Sequence, residues 1–303
     1  MGVGLTVGVA SGAGAQGLSN ANTAGAVRLA GVAAGPDGSV YESDSGNGIV
    51  YRVAPGKKKP VVLASGLVSP GDLAADGSGD VYVLVGPADG MDIDEISPTG
   101  QITSLFALSI IFGGTTPTIT GFTSMPNGTL YLSSYNSDSG SSVYALSNSG
   151  ATVTQLVTTP SYVGWPIYGL SALDNTTVYA TNQEGIGSFA NGAFTLGVLN
   201  ADNLINYHGY HVDENVAVGS RAVAVNTGWG KVGKSHDWVI LRIGAGDGSK
   251  PRTVKVPCPK NAQGANIGAD LAVHGRVVYY VVPGLNKLAK ITPKGIRYIG
   301  KLV

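Results

Sequence analysis

A short unit that ends in tyrosine recurs along this chain and constrains its fold more than any other feature. The unit begins with Gly or Asp and an apolar residue, continues to a turn rich in Asp, Asn and Gly, and ends in Val-Tyr or Leu-Tyr. Its copies are GVAAGPDGSVY (31–41), GDLAADGSGDVY (71–82), GFTSMPNGTLY (121–131), GLSALDNTTVY (169–179) and, more loosely, ADLAVHGRVVY (269–279). The tyrosines are 41, 49, 48 and 100 residues apart, and the last interval leaves room for a degenerate copy at 209–225. The chain therefore contains six units.

Each unit predicts four short strands. In the first unit, a strand over 30–35 ends at the turn Pro-Asp-Gly, and a second strand covers 39–44. Gly-Asn-Gly supplies the next tight turn, a third strand covers 49–54, and KPVVLA forms the fourth. No stretch of 12 or more residues keeps a helical period, so we expect almost no helix.

Six successive four-stranded units predict an all-β, six-bladed β-propeller of antiparallel blades. One such sheet cannot cover both of its own faces, whereas in a ring each sheet covers the next. We expect one propeller domain over residues 27–303. Its inner strands should begin near Gly31, Asp72, Gly121, Gly169, Gly209 and Asp270, and the residues buried between blades should include Val40, Val81, Leu130 and Val178.

Ten residues of the first unit match one known repeat. They are Gly31, Val32, Asp37, Gly38, Val40, Tyr41, Asp44, Asn47, Val50 and Val53. In this pattern the unit resembles the NHL repeat, and the match weakens in the later units. The resemblance implies a six-bladed NHL-like propeller, a fold shared by protein-binding modules, receptor sensor domains, lyases and lactonases, so it does not imply one function.

Closure of the ring is left open by the sequence. The segment GAVRLA (25–30) has the character of an outer strand and could complete the last blade. GIRYIGKLV (295–303) could serve as the fourth strand of that same blade. Both segments cannot occupy one position.

Residues 1–26 are almost uncharged and rich in Gly, Ala and Ser. A short apolar stretch and Ala13-Gly14-Ala15 before Gln16 have the character of a secretory signal without its basic start. We expect a secreted or cell-envelope protein, with a flexible N-terminal tail as the alternative.

The charge balance limits the partners. Lys plus Arg and Asp plus Glu number 19 each, so the net charge is zero and gives no electrostatic reason to expect nucleic acid or an anionic membrane. No run of 18 apolar residues predicts a membrane span. One cysteine excludes an internal disulfide framework. We expect a monomer that binds a polysaccharide, a peptide or a protein.

The loops that lead into the inner strands, here called the lead-in loops, hold most of the aromatic and amide side chains. The candidate ligand-binding residues among them are Trp165, Tyr168, Tyr207, Asn206 and Asn266. Aromatic rings and amides suit sugars or peptides, since rings pack on apolar faces and amides pair with hydroxyl or backbone groups. The alternative is that these rings seal the channel between blades.

Two acidic residues stand where other units begin with glycine. Asp72 and Asp270 directly precede Leu-Ala in their units, whereas Gly31, Gly121 and Gly169 occupy the corresponding position. The pair predicts either a cation site in the channel or an acid and base pair, with His208 as a third catalytic candidate. The alternative is that each carboxylate caps backbone N–H groups at the start of a strand.

Two function classes follow. The first is a binding protein that presents its lead-in loops to a polysaccharide or protein and requires no cofactor. The second is a propeller enzyme, a metal-assisted lactonase or esterase or a lyase acting on a sugar or lactone, with Ca²⁺ or another divalent cation in the central channel.

Overall fold

The computed structural model describes the greater part of the repeat region. The described residues are 29–86, 91–112, 118–136, 140–147, 152–159, 167, 169–182, 185–190, 193–196, 216–219, 222–232, 236–244, 252–259, 270–282 and 285–299.

These residues form six four-stranded antiparallel sheets, each built from one continuous stretch of chain. The first sheet contains β1 (Leu29–Ala34), β2 (Val40–Asp44), β3 (Ile49–Val53) and β4 (Val61–Ser65). The second contains β5 (Leu73–Ala75), β6 (Val81–Val85), β7 (Asp92–Ile96) and β8 (Ile102–Ala107). The third contains β9 (Thr118–Ser124), β10 (Leu130–Asn136), β11 (Gly140–Leu146) and β12 (Val153–Thr159).

The remaining three sheets repeat the same order. The fourth contains β13 (Gly169–Ala172), β14 (Thr177–Asn182), β15 (Gly185–Ala190) and β16 (Ala193–Leu196). The fifth contains β17 (Val216–Gly219), β18 (Ala222–Val232), β19 (His236–Gly244) and β20 (Arg252–Pro259). The sixth contains β21 (Leu271–His274), β22 (Val277–Val282), β23 (Lys287–Thr292) and β24 (Gly295–Ile299). One short helix, α1 (Leu108–Ile111), follows β8.

The turns of the first sheet show why these residues form strands of this length. Gly38 has a φ of 82°, which only glycine adopts without strain, and the Asp37 carboxylate accepts the Ser39 N–H at 2.8 Å. Between β2 and β3, the Asp44 carboxylate accepts the N–H groups of Gly46 and Asn47. Short acidic side chains thus satisfy the backbone where each strand reverses.

The first strands of the six sheets lie side by side in a closed ring. β1 contacts β5, β5 contacts β9, and the series continues through β13, β17 and β21 back to β1. Neighbouring sheets share apolar cores, and Val40, Val81, Leu130 and Val178 are all buried in them. The prediction of a β-propeller with four-stranded antiparallel blades is confirmed, and we number the blades by sheet.

Within the described residues, the first and last blades of the ring share no sheet. β1 begins at Leu29 and is the innermost strand of the first blade, while β24 supplies the outermost strand of the sixth. Leu29 and Ala30 therefore do not belong to an outer strand, and the C-terminal segment completes the last blade. The first and sixth blades meet through packing between their faces.

One predicted strand start lies outside the described part of the chain. Gly209, the predicted start of the fifth inner strand, is among the undescribed residues, and the described strand of that blade, β17, runs from Val216. This unit has neither the tyrosine that ends the other units nor an Asp-Gly turn. The sequence therefore contains no feature that sets the positions of the strands in this blade. Among the described residues, no helix is long and apolar enough to cross a membrane.

Candidate functional site

The six inner strands surround a narrow central channel. A cavity of about 100 Å³ lies between them, lined by three consecutive residues from each inner strand and by Asp270. The middle residues of these triplets are small: Ala33, Ala74, Thr123, Ser171, Ala217 and Ala272. This volume holds a few water molecules, so a larger ligand must bind at a mouth of the channel and not within it.

Side chains from one inner strand satisfy the free backbone of the next. Thr123 Oγ1 accepts the N–H of Ala172 at 3.2 Å, and Ser171 Oγ accepts the N–H of Val218 at 2.9 Å. Inner strands need such partners because one of their edges faces the channel and pairs with no strand.

Asp270 extends this pattern at the end of the channel where the inner strands begin. Its Oδ2 accepts the N–H of Val32 in the first blade at 3.1 Å, and its Oδ1 accepts the N–H of Leu271 at 2.8 Å. The N–H of Leu73 in the second blade also donates to this carboxylate. The Asp270 side chain of the sixth blade therefore accepts backbone hydrogen bonds from two further blades. This arrangement is the capping of backbone N–H groups that the sequence analysis gave as the alternative to a cation site.

A glycine makes this reach across the first blade possible. A Cβ on Gly31 would lie 2.5 Å from the carbonyl oxygen of Gly71 and 2.9 Å from Cα of Asp72, closer than atoms can approach. The Ser43 hydroxyl joins the same two strands, since it accepts the Gly31 N–H at 2.7 Å and donates to the Gly71 carbonyl at 2.6 Å. The first and second blades are thus drawn together at this mouth.

Asp72 and Asp270 occupy equivalent positions in their blades. The carbonyl of Asp72 accepts the N–H of Leu84, and the carbonyl of Asp270 accepts the N–H of Val281, the matching residue of its own second strand. The two carboxyl groups are close enough for the charge of Asp72 to raise the pKa of Asp270. The structure therefore brings these two sequence-predicted residues together at one mouth.

Burial raises the pKa of both groups, and the neighbouring Asp72 also raises that of Asp270. Burial raises the pKa of Asp72 to about 6. Burial and the neighbouring Asp72 raise the pKa of Asp270 well above its usual range, against the lowering effect of its three backbone donors. Two neighbouring carboxyls whose pKa values are both raised titrate as a coupled pair.

The pair can accept and donate hydrogen bonds at the same mouth, or hold a cation with two carboxylates. Ca²⁺ takes six to eight oxygen ligands, so further oxygens would be needed beyond these two side chains. Within the described residues, no group of three or more His, Cys, Asp or Glu side chains could hold a metal ion.

The other predicted site residues lie outside the described part of the chain. They are Trp165, Tyr168, Asn206, Tyr207, His208 and Asn266. Their assignment to ligand binding or catalysis stays a prediction.

Sequence reasoning missed one buried acid. Glu42 is 1% exposed on β2, and its Oε1 has no hydrogen-bond partner among the described residues. Burial alone raises its pKa to about 8. The signal was available, because Val83, Leu132 and Tyr280 occupy the equivalent place one residue after the marker tyrosine in other units.

Comparison with known proteins supports the fold of the chain but assigns it to no family. No protein-family model matches the chain, and no curated protein sequence matches it significantly. A gluconolactonase from Xanthomonas campestris superposes with a TM-score of 0.60 at 13% identity, over 91% of this chain and 87% of that chain. A putative TolB from Agrobacterium tumefaciens gives a TM-score of 0.58 at 13% identity, over 91% of each chain.

A third solved structure of this kind is the catalytically inactive virginiamycin B lyase from Staphylococcus aureus with quinupristin. It gives a TM-score of 0.51 at 14% identity, over 95% of this chain and 88% of that chain. The chain has a β-propeller fold. At such low identity the likeness carries no statement about function.

Proposed function

We propose that this chain is an exported, six-bladed, NHL-like propeller that binds a polysaccharide or protein at the mouth formed by its lead-in loops. The observation that carries the proposal is the pair of carboxyl groups, Asp72 and Asp270, which meet at that mouth. The NHL-like pattern of the first unit and the signal-like character of residues 1–26 support the family and the location.

The chemistry of the pair suits a ligand rich in hydroxyl groups. A carboxylate accepts hydrogen bonds from hydroxyls, and a protonated carboxyl donates one, so a pair that shares a proton can do both. The lead-in loops carry Trp165, Tyr168 and Tyr207, whose rings can pack on the apolar faces of sugars.

Asp72 is the ligand-binding member of the pair in this proposal. Asp270 already accepts three backbone N–H groups, whereas no described residue donates a hydrogen bond to the Asp72 carboxyl. Asp72 therefore has the greater unused capacity for a hydroxyl or a cation.

A second candidate is a propeller enzyme, and one observation favours it. Burial raises the pKa of Asp72 to about 6, which suits a group that takes or gives a proton near neutral pH. A gluconolactonase and a lyase are among the solved structures with this fold, so the fold accommodates such chemistry. The substrate would be a sugar or lactone, and a divalent cation bound by Asp72 would polarise its carbonyl group.

The test is calorimetric titration of the full chain with CaCl₂ and with a panel of soluble neutral oligosaccharides. We expect binding that is lost in the double variant Asp72→Asn, Asp270→Asn. The matched control is Asp80→Asn with Asp174→Asn, which removes the same charge at the turns of the opposite end.

Loss of binding in the control as well, or unchanged binding in the site variant, would refute the site. Stoichiometric Ca²⁺ together with turnover of a lactone such as gluconolactone would favour the enzyme over the binding protein.

A further inference from the structure

The neutral net charge of this chain conceals a separation of charge around the ring. Residues 60–220 contain no Lys or Arg and carry 13 Asp or Glu residues. The rest of the chain carries all 19 Lys and Arg residues and six acidic residues. Because the sixth blade packs against the first, the two basic ends of the sequence become one continuous region of the fifth, sixth and first blades.

Six exposed basic residues of this region lie toward the end of the ring opposite the Asp72 mouth. The inner strand of each blade starts at that mouth, and successive strands of a blade run in opposite directions. The turn between the first and second strands of a blade and the turn between its third and fourth strands therefore lie at the opposite end of the ring. We call these residues the basic arc: Lys57, Lys58, Lys59, Arg252, Arg276 and Lys294.

Contacts at this end join the three blades of the basic arc. Arg252 Nη1 of the fifth blade donates to the carbonyl of Thr292 in the sixth at 2.9 Å. The turn of the sixth blade at His274 meets the turn of the first blade at Gly38, where a Cβ would lie 3.2 Å from His274 Nε2. The positive side chains therefore lie along one continuous rim.

The acidic groups described in the same region do not neutralise the arc. Asp37 forms an ion pair with Arg52 at 2.9 Å, which is the one salt bridge found within the described residues. Glu42 and Asp44 are buried, and Asp270 lies at the other mouth. Six cationic groups with no anionic partner in the described part of the chain create a positive potential that attracts a polyanion.

We propose that the basic arc binds an acidic polysaccharide, a linear sugar polymer bearing carboxylate or sulfate groups. Four of the six side chains are lysines, compact charges that suit such groups, whereas recognition of nucleic acid relies more on arginine forks and stacked aromatic rings. This surface is separate from the mouth in the proposed function, so either proposal can fail alone.

The test measures binding of the full chain to polygalacturonate, with uncharged dextran and a DNA duplex as comparison ligands. We expect polygalacturonate to bind at low ionic strength and to weaken steeply with added NaCl, because binding releases counterions. The triple variant Lys57→Gln, Lys58→Gln, Lys59→Gln should weaken it at least tenfold.

The matched control is Gln101→Glu, Thr103→Glu, Thr154→Glu, which lowers the net charge by the same three on exposed positions of the second and third blades. This control should bind within about twofold of the unmodified chain.

The following outcomes would overturn the proposal. They are equal weakening by the triple variant and its control, equal binding of dextran and polygalacturonate, and tighter binding of the DNA duplex than of polygalacturonate. The last result would assign the arc to nucleic acid instead. Absence of binding to any polyanion at low ionic strength would also refute it.

Discussion

Replacing Glu42 by glutamine should change how stability depends on pH. The Glu42 side chain is 1% exposed, its Oε1 has no partner among the described residues, and burial raises its pKa from the usual 4.5 to about 8. Between these two values the folded state binds more protons than the unfolded state, so stability falls as pH rises. The carboxyl is neutral in the folded protein at acid pH and must ionise in a buried site at alkaline pH.

The size of the effect follows from the two pKa values. A pKa difference of about 3.5 corresponds to about 5 kcal/mol. About 3 kcal/mol of this should be lost by pH 7, and nearly all of it by about pH 9. Glutamine cannot ionise, so the Glu42→Gln variant should lack this loss.

Urea unfolding of both proteins at several pH values from about 5 to 9 measures the effect. The difference in unfolding free energy between the two proteins isolates Glu42, since every other titrating group is common to both. Glutamine adds a buried amide that costs a constant amount, so the slope against pH is the diagnostic quantity. Glu42→Leu, which introduces the residue found at the equivalent position of the third blade, Leu132, should be more stable than the glutamine variant at every pH. Parallel curves for the original and glutamine proteins would refute the assignment of a buried neutral acid.

Three further substitutions test the packing and the lead-in loops. Gly31→Ala should destabilise the fold by about 1–3 kcal/mol, because the new Cβ would clash with the backbone of the second blade. In the control Gly71→Ala, the new Cβ lies no closer than 3.6 Å to any neighbouring atom, and chemical denaturation compares the two variants. Ser43→Ala should cost about 1–3 kcal/mol in the same assay, since it leaves the buried Gly31 N–H and the partly buried Gly71 carbonyl without their partner. Ser43→Thr should restore part of the loss if the hydroxyl is the cause. Trp165→Ala and Tyr168→Ala should weaken ligand binding with little change in melting temperature, and a fall of many degrees would assign these rings to packing instead.

The sequence predicted the blades because each blade is a local structure. Turn residues such as Pro36-Asp37-Gly38 and the alternation that ends at Tyr41 specify strands within one unit, with no need for distant contacts. The fifth unit allowed only a loose prediction on the same ground, since it has neither the tyrosine that ends the other units nor an Asp-Gly turn to set the position of its strands.

The candidate site was predictable only in part. Register placed Asp72 and Asp270 at the same point of their inner strands, and the structure brings them together. The donors to Asp270 were not predictable, because they depend on how closely the first and second blades approach at Gly31. The basic arc was missed for a similar reason. A net charge is a sum over the chain, whereas the arc arises when closure of the ring joins its two ends.

The continuity of each sheet also bears on how such a protein can gain or lose parts. In the part of the chain that the structure describes, the four strands of every blade are consecutive in sequence, and the first and sixth blades share no strand. A gene duplication or deletion that begins and ends in the loops between sheets therefore adds or removes a complete blade and leaves the hydrogen bonds within all the other sheets intact. Propellers that close by sharing a strand do not have this freedom, because any change in number must preserve the sheet built from both ends of the chain. The divergence among the six units is what independent change in such self-contained segments produces.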